Sequence, residues 1–182
     1  IIQGSYALVT FADTNDNIAV IKGKAAAGLS LNKGISTQAY PSSMMGAISL
    51  IRQTYLNTEW YKAVHHKKEF NISLEDFNKL MCLPQIFTVN DKLSIFRADK
   101  IAREFKVNYL IKGAGDEYQL LDEIKNTGRQ FIIPLNFPEK PHVEDPYDAQ
   151  LVSFATLLNW EMAPLNPSAL EKAGITFALT TN

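Results

Sequence analysis

A glycine turn between a strand-forming run and a helical run is the first part of the sequence that could do chemistry. The stretch VNYLIKGAGDEYQLLDEI, residues 107–124, contains Lys112-Gly113-Ala114-Gly115, followed by Asp116 and Glu117. A turn of this kind cradles phosphate when it has the pattern G-x-G-x-x-G or G-x-x-x-x-G-K-[ST] and opens into a helix. Neither pattern is present, and the two carboxylates would repel phosphate while suiting the positive end of a helix. The turn therefore indicates the rim of another kind of site.

Other residues that ligate metals or attack substrates are few and scattered. His65 and His66 are adjacent, so on a helix they point about 100° apart and cannot easily share a metal. His142 lies in the loop-like stretch EKPHVEDPYD. The single cysteine, Cys82, excludes a disulfide framework, and its flanks in LMCLP predict a buried thiol rather than a nucleophile.

Composition excludes several classes of protein. The 182 residues are 46% hydrophobic and 20% charged, which is typical of a globular chain, and the formal net charge is -1. We therefore expect no nucleic acid partner, and no membrane insertion because no apolar run approaches the ~20 residues of a spanning helix. The chain does not begin with Met, so a signal segment could have been removed, and the compartment, cytoplasmic or exported to the periplasm, stays open.

The chain has two parts with different hydrophobic periodicity, and their strands and helices must position the residues described above. Residues 1–66 predict a β-hairpin with its turn at 13–17, and then a helix that begins at Pro41 and Ser42 or Ser43. The expected apolar face of this helix consists of Met44, Ile48, Ile51 and Tyr55.

Residues 67–182 predict a partial (β/α) barrel-like segment with a mainly parallel sheet, because strand and helix patterns alternate regularly. The predicted strands are 84–89, 107–112, 131–136 and 175–180. The predicted helices are 73–81 with Ser73 as cap, 93–105, 117–127, 149–163, and a short one capped by Asn166. Because function gathers at the carboxyl ends of strands in β/α folds, these ends form the candidate rim.

Two paired segments, PQIFTVNDKLSIFRADKIAREF and VNYLIKGAGDEYQLLDEIKNTGRQFIIPL, resemble the metal-dependent amidohydrolases, specifically the imidazolonepropionase-like branch. The resemblance extends over about residues 70–180. It implies a (β/α)8 barrel in which histidines and an aspartate at strand ends hold one or two divalent metals. The metals activate water for attack on an amide or similar C–N bond. The stretch KGISTQAYPSSMMGAISLIRQTYLNTEWY is similar to the segment that precedes these units in large, two-part members.

The metal-ligand positions of that family fall on neutral residues of this sequence. In chain order these residues are Thr88 or its neighbours Val89 and Asn90, then Gly113, then Thr181 or Asn182. No His-x-His pair occurs, and Thr, Gly and Asn do not supply the strong donors of a catalytic zinc site. We therefore assign no catalytic residue, metal or cofactor to this segment, and we expect zinc or another divalent metal only in a full-length protein. The predicted rim of a degenerate site is Thr88, Asn90, Gly113, Asp116, Glu117, Asn136 and Asn182.

The resemblance and the missing ligands favour one function over its alternatives. The favoured interpretation is a fragment of an amidohydrolase-family protein, a hydrolase of C–N bonds other than peptide bonds, in which this pseudoenzyme segment is structural or gating. The alternative is a genuine metal-dependent amidohydrolase whose remaining ligands lie outside the fragment. A third hypothesis is a small-molecule or hard-cation binding module that uses the carboxylates of Asp116, Glu117, Glu144, Asp145 and Asp148.

The length of the chain indicates which partners to expect. A complete barrel takes about 250 residues, and only four β/α strands are predicted here. We therefore expect the remainder of a full-length chain as one partner. Because half a barrel leaves an open sheet edge, we also expect the isolated chain to form a homo-oligomer.

Overall fold

The computed structural model of the chain describes residues 1–11, 16–64 and 69–181. Its strands are β1 Ile2–Val9, β2 Val20–Ser30, β3 Gln85–Thr88, β4 Tyr109–Lys112, β5 Gln130–Pro134 and β6 Phe177–Thr180. Its α-helices are α1 Asp16–Ala19, α2 Met44–Ala63, α3 Ile72–Leu80, α4 Lys92–Phe105, α5 Leu121–Thr127, α6 Pro146–Leu151, α7 Phe154–Met162 and α8 Asn166–Ala173. Single 3₁₀ turns cover Glu117–Leu120 and Ala163–Leu165. Among these described helices, none has the length and apolar character to cross a membrane.

The described strands form one sheet in the order β1-β2-β3-β4-β5-β6. Strands β1 and β2 pair antiparallel, whereas β2 with β3, β4 with β5 and β5 with β6 pair parallel. This confirms the predicted mixed α/β fold, a mostly parallel sheet that follows an antiparallel hairpin. The second hairpin strand is itself part of the parallel sheet, since residues 27–30 of β2 pair with residues 85–88 of β3.

The chain forms two compact units. The first contains Ile1–Thr88 and Ile101–Tyr109, and the second contains Val89–Lys100 and Leu110–Asn182. The predicted division between residues 66 and 67 lies outside the described residues, as do His65 and His66. That division stays a prediction.

The core of the first unit is built on α2. Ser43 begins this helix, because its side chain accepts a hydrogen bond from Gly46 N at 3.2 Å. Of the predicted apolar face, Ile51 and Tyr55 are buried and Ile48 is half-buried, but Met44 is 42% exposed. The buried face contains Ala47, Ile51, Tyr55, Thr58 and Tyr61, a set at helical spacing that starts one turn after the predicted stripe.

A polar contact lies inside this apolar core. The Tyr55 hydroxyl donates to Gln85 Oε1 at 2.6 Å and lies 2.9 Å from the Tyr109 hydroxyl. The Tyr55 ring stacks on Phe105 at a centroid distance of 4.6 Å and meets Phe77 edge-on at 5.3 Å. Burial raises the pKa of Tyr55 to about 12, against the opposing effect of the hydrogen bond with Tyr109. The Tyr55 hydroxyl therefore ties α2 to the first residue of β3 within this unit.

Two local predictions in the first unit are wrong. Helix α3 is capped by Asn71, which accepts from Leu74 N at 3.1 Å, and not by Ser73. Both residue types cap helices well, and Asn71 starts the helix two residues earlier than predicted. Cys82 is exposed instead of buried, because the turn that follows α3 places its thiol on the surface.

The second unit has a core of large aliphatic and aromatic side chains. Ile111, Ile124, Phe131, Ile133 and Leu170 are each at most 2% exposed. The predicted helix over 149–163 is two helices, since the chain is extended at Val152 and Ser153 and Ser153 caps α7. Gly128 ends α5 in a left-handed conformation with φ of 68°, as the predicted helix end required.

Candidate functional site

The structure brings three of the predicted rim residues together in the second unit. Gly113, Asp116 and Glu117 lie directly after β4, in the turn that leads to α5. Asn90 and Asn136 also belong to this unit and are exposed. Thr88 is the half-buried last residue of β3 in the first unit, and Asn182 lies outside the described residues.

Glu117 is the centre of the arrangement after β4. Its side chain is 0% exposed, so both carboxylate oxygens depend on protein donors. Oε1 accepts from Ala114 N at 2.7 Å and from Gly115 N at 3.2 Å. Oε2 accepts from Gly115 N at 3.1 Å and from the Asn166 side-chain amide at 2.7 Å. The carboxylate therefore fixes the glycine turn that precedes it.

Asn166 is the residue of this site that the sequence did not reveal. It is predicted as the cap of a short helix, but α8 has Leu165 at its cap position, and Asn166 is its buried first residue. The amide group of Asn166 donates to Glu117, and its Oδ1 accepts from Tyr118 N at 2.8 Å. The two contacts span 48 and 49 residues of sequence, so no local pattern predicts them.

Gly113 occupies the position where the resemblance places a metal-binding histidine. A Cβ atom added to Gly113 would lie 2.1 Å from Glu117 Oε1, 2.9 Å from Glu117 Cδ and 3.2 Å from Ile133 Cδ1. Any side chain at residue 113 therefore displaces the Glu117 carboxylate from its donors. The space above the end of β4 is filled by a side chain from four residues later.

Asp116 links the same turn to the start of α4. Its Oδ2 accepts from Lys92 N at 3.1 Å, and the Lys92 ammonium group donates to Gln119 Oε1. Asp116 makes no side-chain cap of the 3₁₀ turn that follows it. Among the described residues, Asp116 Oδ1 is buried without a hydrogen-bond partner. Asp116 thus satisfies the first backbone donor of a different helix from the one predicted.

Asp91 holds the same end of α4. It accepts from Ser94 N at 2.9 Å and from Ser94 Oγ at 2.7 Å. Partial burial disfavours the charged form of Asp91, but the Ser94 hydrogen bonds and the nearby Arg97 charge together lower its pKa. The carboxylates of Asp91 and Asp116 are therefore placed to stabilise the positive end of α4.

These residues do not fit a zinc centre. Glu117 directs its carboxylate at three N–H donors, and a catalytic zinc requires about three N, O or S donors free to face the metal. Throughout the part of the chain that the structure describes, no three His, Cys, Asp or Glu side chains are grouped as metal ligands. What the arrangement can do chemically is hold a backbone turn in one conformation.

A surface cavity of about 440 Å³ lies in the first unit, against β1, α2 and α3. Its apolar lining includes Ile2 and Phe77. Two of its polar groups are already paired, since Asn71 caps α3 and Asp76 accepts from Lys24 Nζ at 3.1 Å. These two residues are thus committed to contacts within the first unit.

The fold and the strand-end arrangement define a β/α domain with a mostly parallel sheet. The structure is similar to that of an amidohydrolase from Thermotoga maritima MSB8, with a TM-score of 0.66 and 18% sequence identity. The match covers 95% of this chain and 45% of that chain, so this chain spans less than half the length of the amidohydrolase. At this identity the similarity establishes the fold alone. No protein-family model matches the sequence, and no curated protein matches it.

Proposed function

We propose that this chain is an amidohydrolase-like domain without a metal centre of its own, which supports or gates a catalytic amidohydrolase unit. The observation that carries the proposal is the filled strand end after β4. There, Glu117 occupies the space that a ligand side chain at Gly113 requires, and its oxygens are bound to N–H groups. The imidazolonepropionase-like branch remains the proposed origin of the domain, on the sequence segments quoted above.

The other predicted ligand positions support the same interpretation. Thr88 and Asn90 offer a hydroxyl and an amide, which are weak donors to zinc compared with imidazole or thiolate. Water that is not bound to a metal keeps its pKa far above neutral pH, so a metal-free site has no hydroxide nucleophile at about pH 7. The Glu117 carboxylate is committed to its donors, and Asp116 accepts from Lys92 N through Oδ2.

The proposed partner is a catalytic unit on the remainder of a longer chain, where zinc or another divalent metal would be bound. This part of the proposal rests on the length of the similar amidohydrolase, of which 45% is matched by this chain. Deleting residues 1–182 from such a longer chain should lower the activity or the stability of its catalytic unit, and unchanged turnover would contradict a gating role.

Metal analysis and an activity screen test the absence of a metal centre. After dialysis against zinc, the purified chain should contain far less than one zinc per protein by elemental analysis. It should hydrolyse no imidazolone, dipeptide or lactam substrate when metals are added. An active zinc amidohydrolase in the same assays is the positive control. One zinc per chain, or turnover that a chelator abolishes, would overturn the proposal and favour a genuine hydrolase.

A further inference from the structure

Helix α7 carries large apolar side chains that the second unit covers only in part. None of its residues is buried, and Phe154 is 78% exposed, Leu157 39%, Leu158 37% and Trp160 43%. At 100° per residue, these four side chains lie within an arc of about 160° on one side of the helix. We call this set of four residues the α7 face.

The opposite side of α7 attaches the helix to its own unit. Asn159 lies more than about 90° from every residue of the α7 face, and its Oδ1 accepts a hydrogen bond from the Tyr118 hydroxyl at 3.3 Å. Asn159 and Met162 are half-buried, unlike the residues of the α7 face. The apolar side therefore points to solvent.

The exposed apolar area is large enough for a stable contact. Leu151 and Leu165, which flank α7 in the sequence, are a further 84% and 53% exposed. Taking roughly 200 Å² for a fully exposed large side chain, these two residues and the α7 face leave on the order of 650 Å² of apolar surface. A stable interface buries about 800 Å² on each partner, of which somewhat more than half is apolar. The α7 face and its two flanking leucines together expose more apolar area than one side of such an interface needs.

We propose that the α7 face is the contact surface between two copies of this chain, which pack as an antiparallel pair of α7 helices around a two-fold axis. The charge on α7 favours a second copy of this chain as the partner. Glu161 is the single ionisable residue of α7, and it lies within the arc of the α7 face near the negative end of its own helix. In an antiparallel pair, Glu161 of each copy lies near the positive N-terminal end of the other α7. The proposal does not depend on the metal-free function, because none of its residues belongs to the turn after β4.

Light scattering on size-separated protein at about 50 μM tests the association, because interfaces of this size have dissociation constants in the micromolar range or below. The wild-type chain should be a dimer, and Leu157→Arg should be a monomer. The matched control is Ala155→Arg, which places the same charge on α7 about 130° from the centre of the α7 face and should remain a dimer. Both variants should keep the wild-type circular dichroism spectrum, because neither position is buried. A monomeric wild-type chain, or a dimeric Leu157→Arg variant, would overturn the proposal.

Disulfide trapping tests the antiparallel geometry. Cys82→Ser removes the single native thiol, and Leu157→Cys then places one thiol near the middle of the helix pair, close to its own symmetry mate. Mild oxidation should cross-link this variant at least ten times faster than the matched Cys82→Ser, Ala155→Cys variant. Equal cross-linking rates would show that α7 does not pair in this way, whatever the oligomeric state.

Discussion

At the scale of single residues, Gly113 and Glu117 depend on each other. Gly113 has no side chain to obstruct the Glu117 carboxylate, and Glu117 satisfies the backbone donors of Ala114 and Gly115. Asn166 completes the set from 49 residues away. The contact with Glu117 therefore explains why a glycine stands at residue 113 in a turn that has no phosphate-binding pattern.

A double-mutant cycle measures this dependence. Gly113→Ala should lower the free energy of unfolding by about 2–4 kcal/mol, because the new Cβ forces the buried carboxylate away from its hydrogen-bond donors. Glu117→Ala alone should cost a similar amount, since it leaves those donors unpaired. In the Glu117→Ala background, Gly113→Ala should cost less than about 1 kcal/mol. Urea unfolding provides the four values, and purely additive costs would contradict the proposed contact.

At the scale of elements, periodicity predicted which segments form strands and helices, but not where the helices begin. The predicted strands contain β3, β4, β5 and β6 almost completely, because short apolar runs separated by helix-length segments leave few other arrangements. Helix starts were less predictable, since Asn71 and Ser73 are both good caps and only the folded chain selects one. The division of one predicted helix into α6 and α7 has the same cause, because Ser153 caps α7 inside a continuous apolar pattern.

The start of α2 offers a test of capping with an adjacent control. The sequence left Ser42 and Ser43 as alternative caps, and the structure selects Ser43, which accepts from Gly46 N at 3.2 Å. Ser43→Ala should lower the free energy of unfolding by about 1 kcal/mol. Ser42→Ala changes the neighbouring exposed residue in the same way and should have no measurable effect. Thermal unfolding of the two variants compares them, and a larger loss for Ser42→Ala would contradict the assignment.

At the scale of the whole molecule, the sequence predicted the class of fold and missed the contacts that join distant segments. The Glu117–Asn166 hydrogen bond and the Tyr55–Gln85 hydrogen bond connect residues 49 and 30 positions apart, and each lies in one of the two compact units. Polar side chains that are buried must find partners, but a sequence does not state which distant partner is used. The candidate site could therefore be placed at the strand ends, whereas its filled state could not be predicted.

The pH dependence of unfolding tests the buried Tyr55. The pKa of Tyr55 is raised from 10.0 to about 12 in the folded chain, so folding favours its neutral form. The corresponding stability is fully present below pH 10 and is lost as the pH rises through 12. It amounts to about 2–3 kcal/mol, because each tenfold change in an ionisation constant corresponds to about 1.4 kcal/mol.

Urea unfolding at pH 9 and pH 11.5 measures this loss. The wild-type chain should lose more stability between the two pH values than Tyr55→Phe, which is less stable at pH 9 because Gln85 Oε1 loses its donor. Tyr147→Phe removes the hydroxyl of an 81% exposed tyrosine and should keep the wild-type pH dependence. An identical pH dependence for wild type and Tyr55→Phe would show that ionisation of Tyr55 does not cause the loss of stability at high pH.

The filled strand end also constrains how this protein can evolve. A histidine at residue 113 conflicts with Glu117, because the carboxylate occupies the space of the new Cβ. Loss of Glu117 alone leaves the N–H donors of Ala114, Gly115 and Asn166 buried without an acceptor. Either order of mutation passes through a destabilised intermediate. The effect of each mutation thus depends on whether the other is already present, which is epistasis. Selection for stability therefore favours keeping the glycine at residue 113.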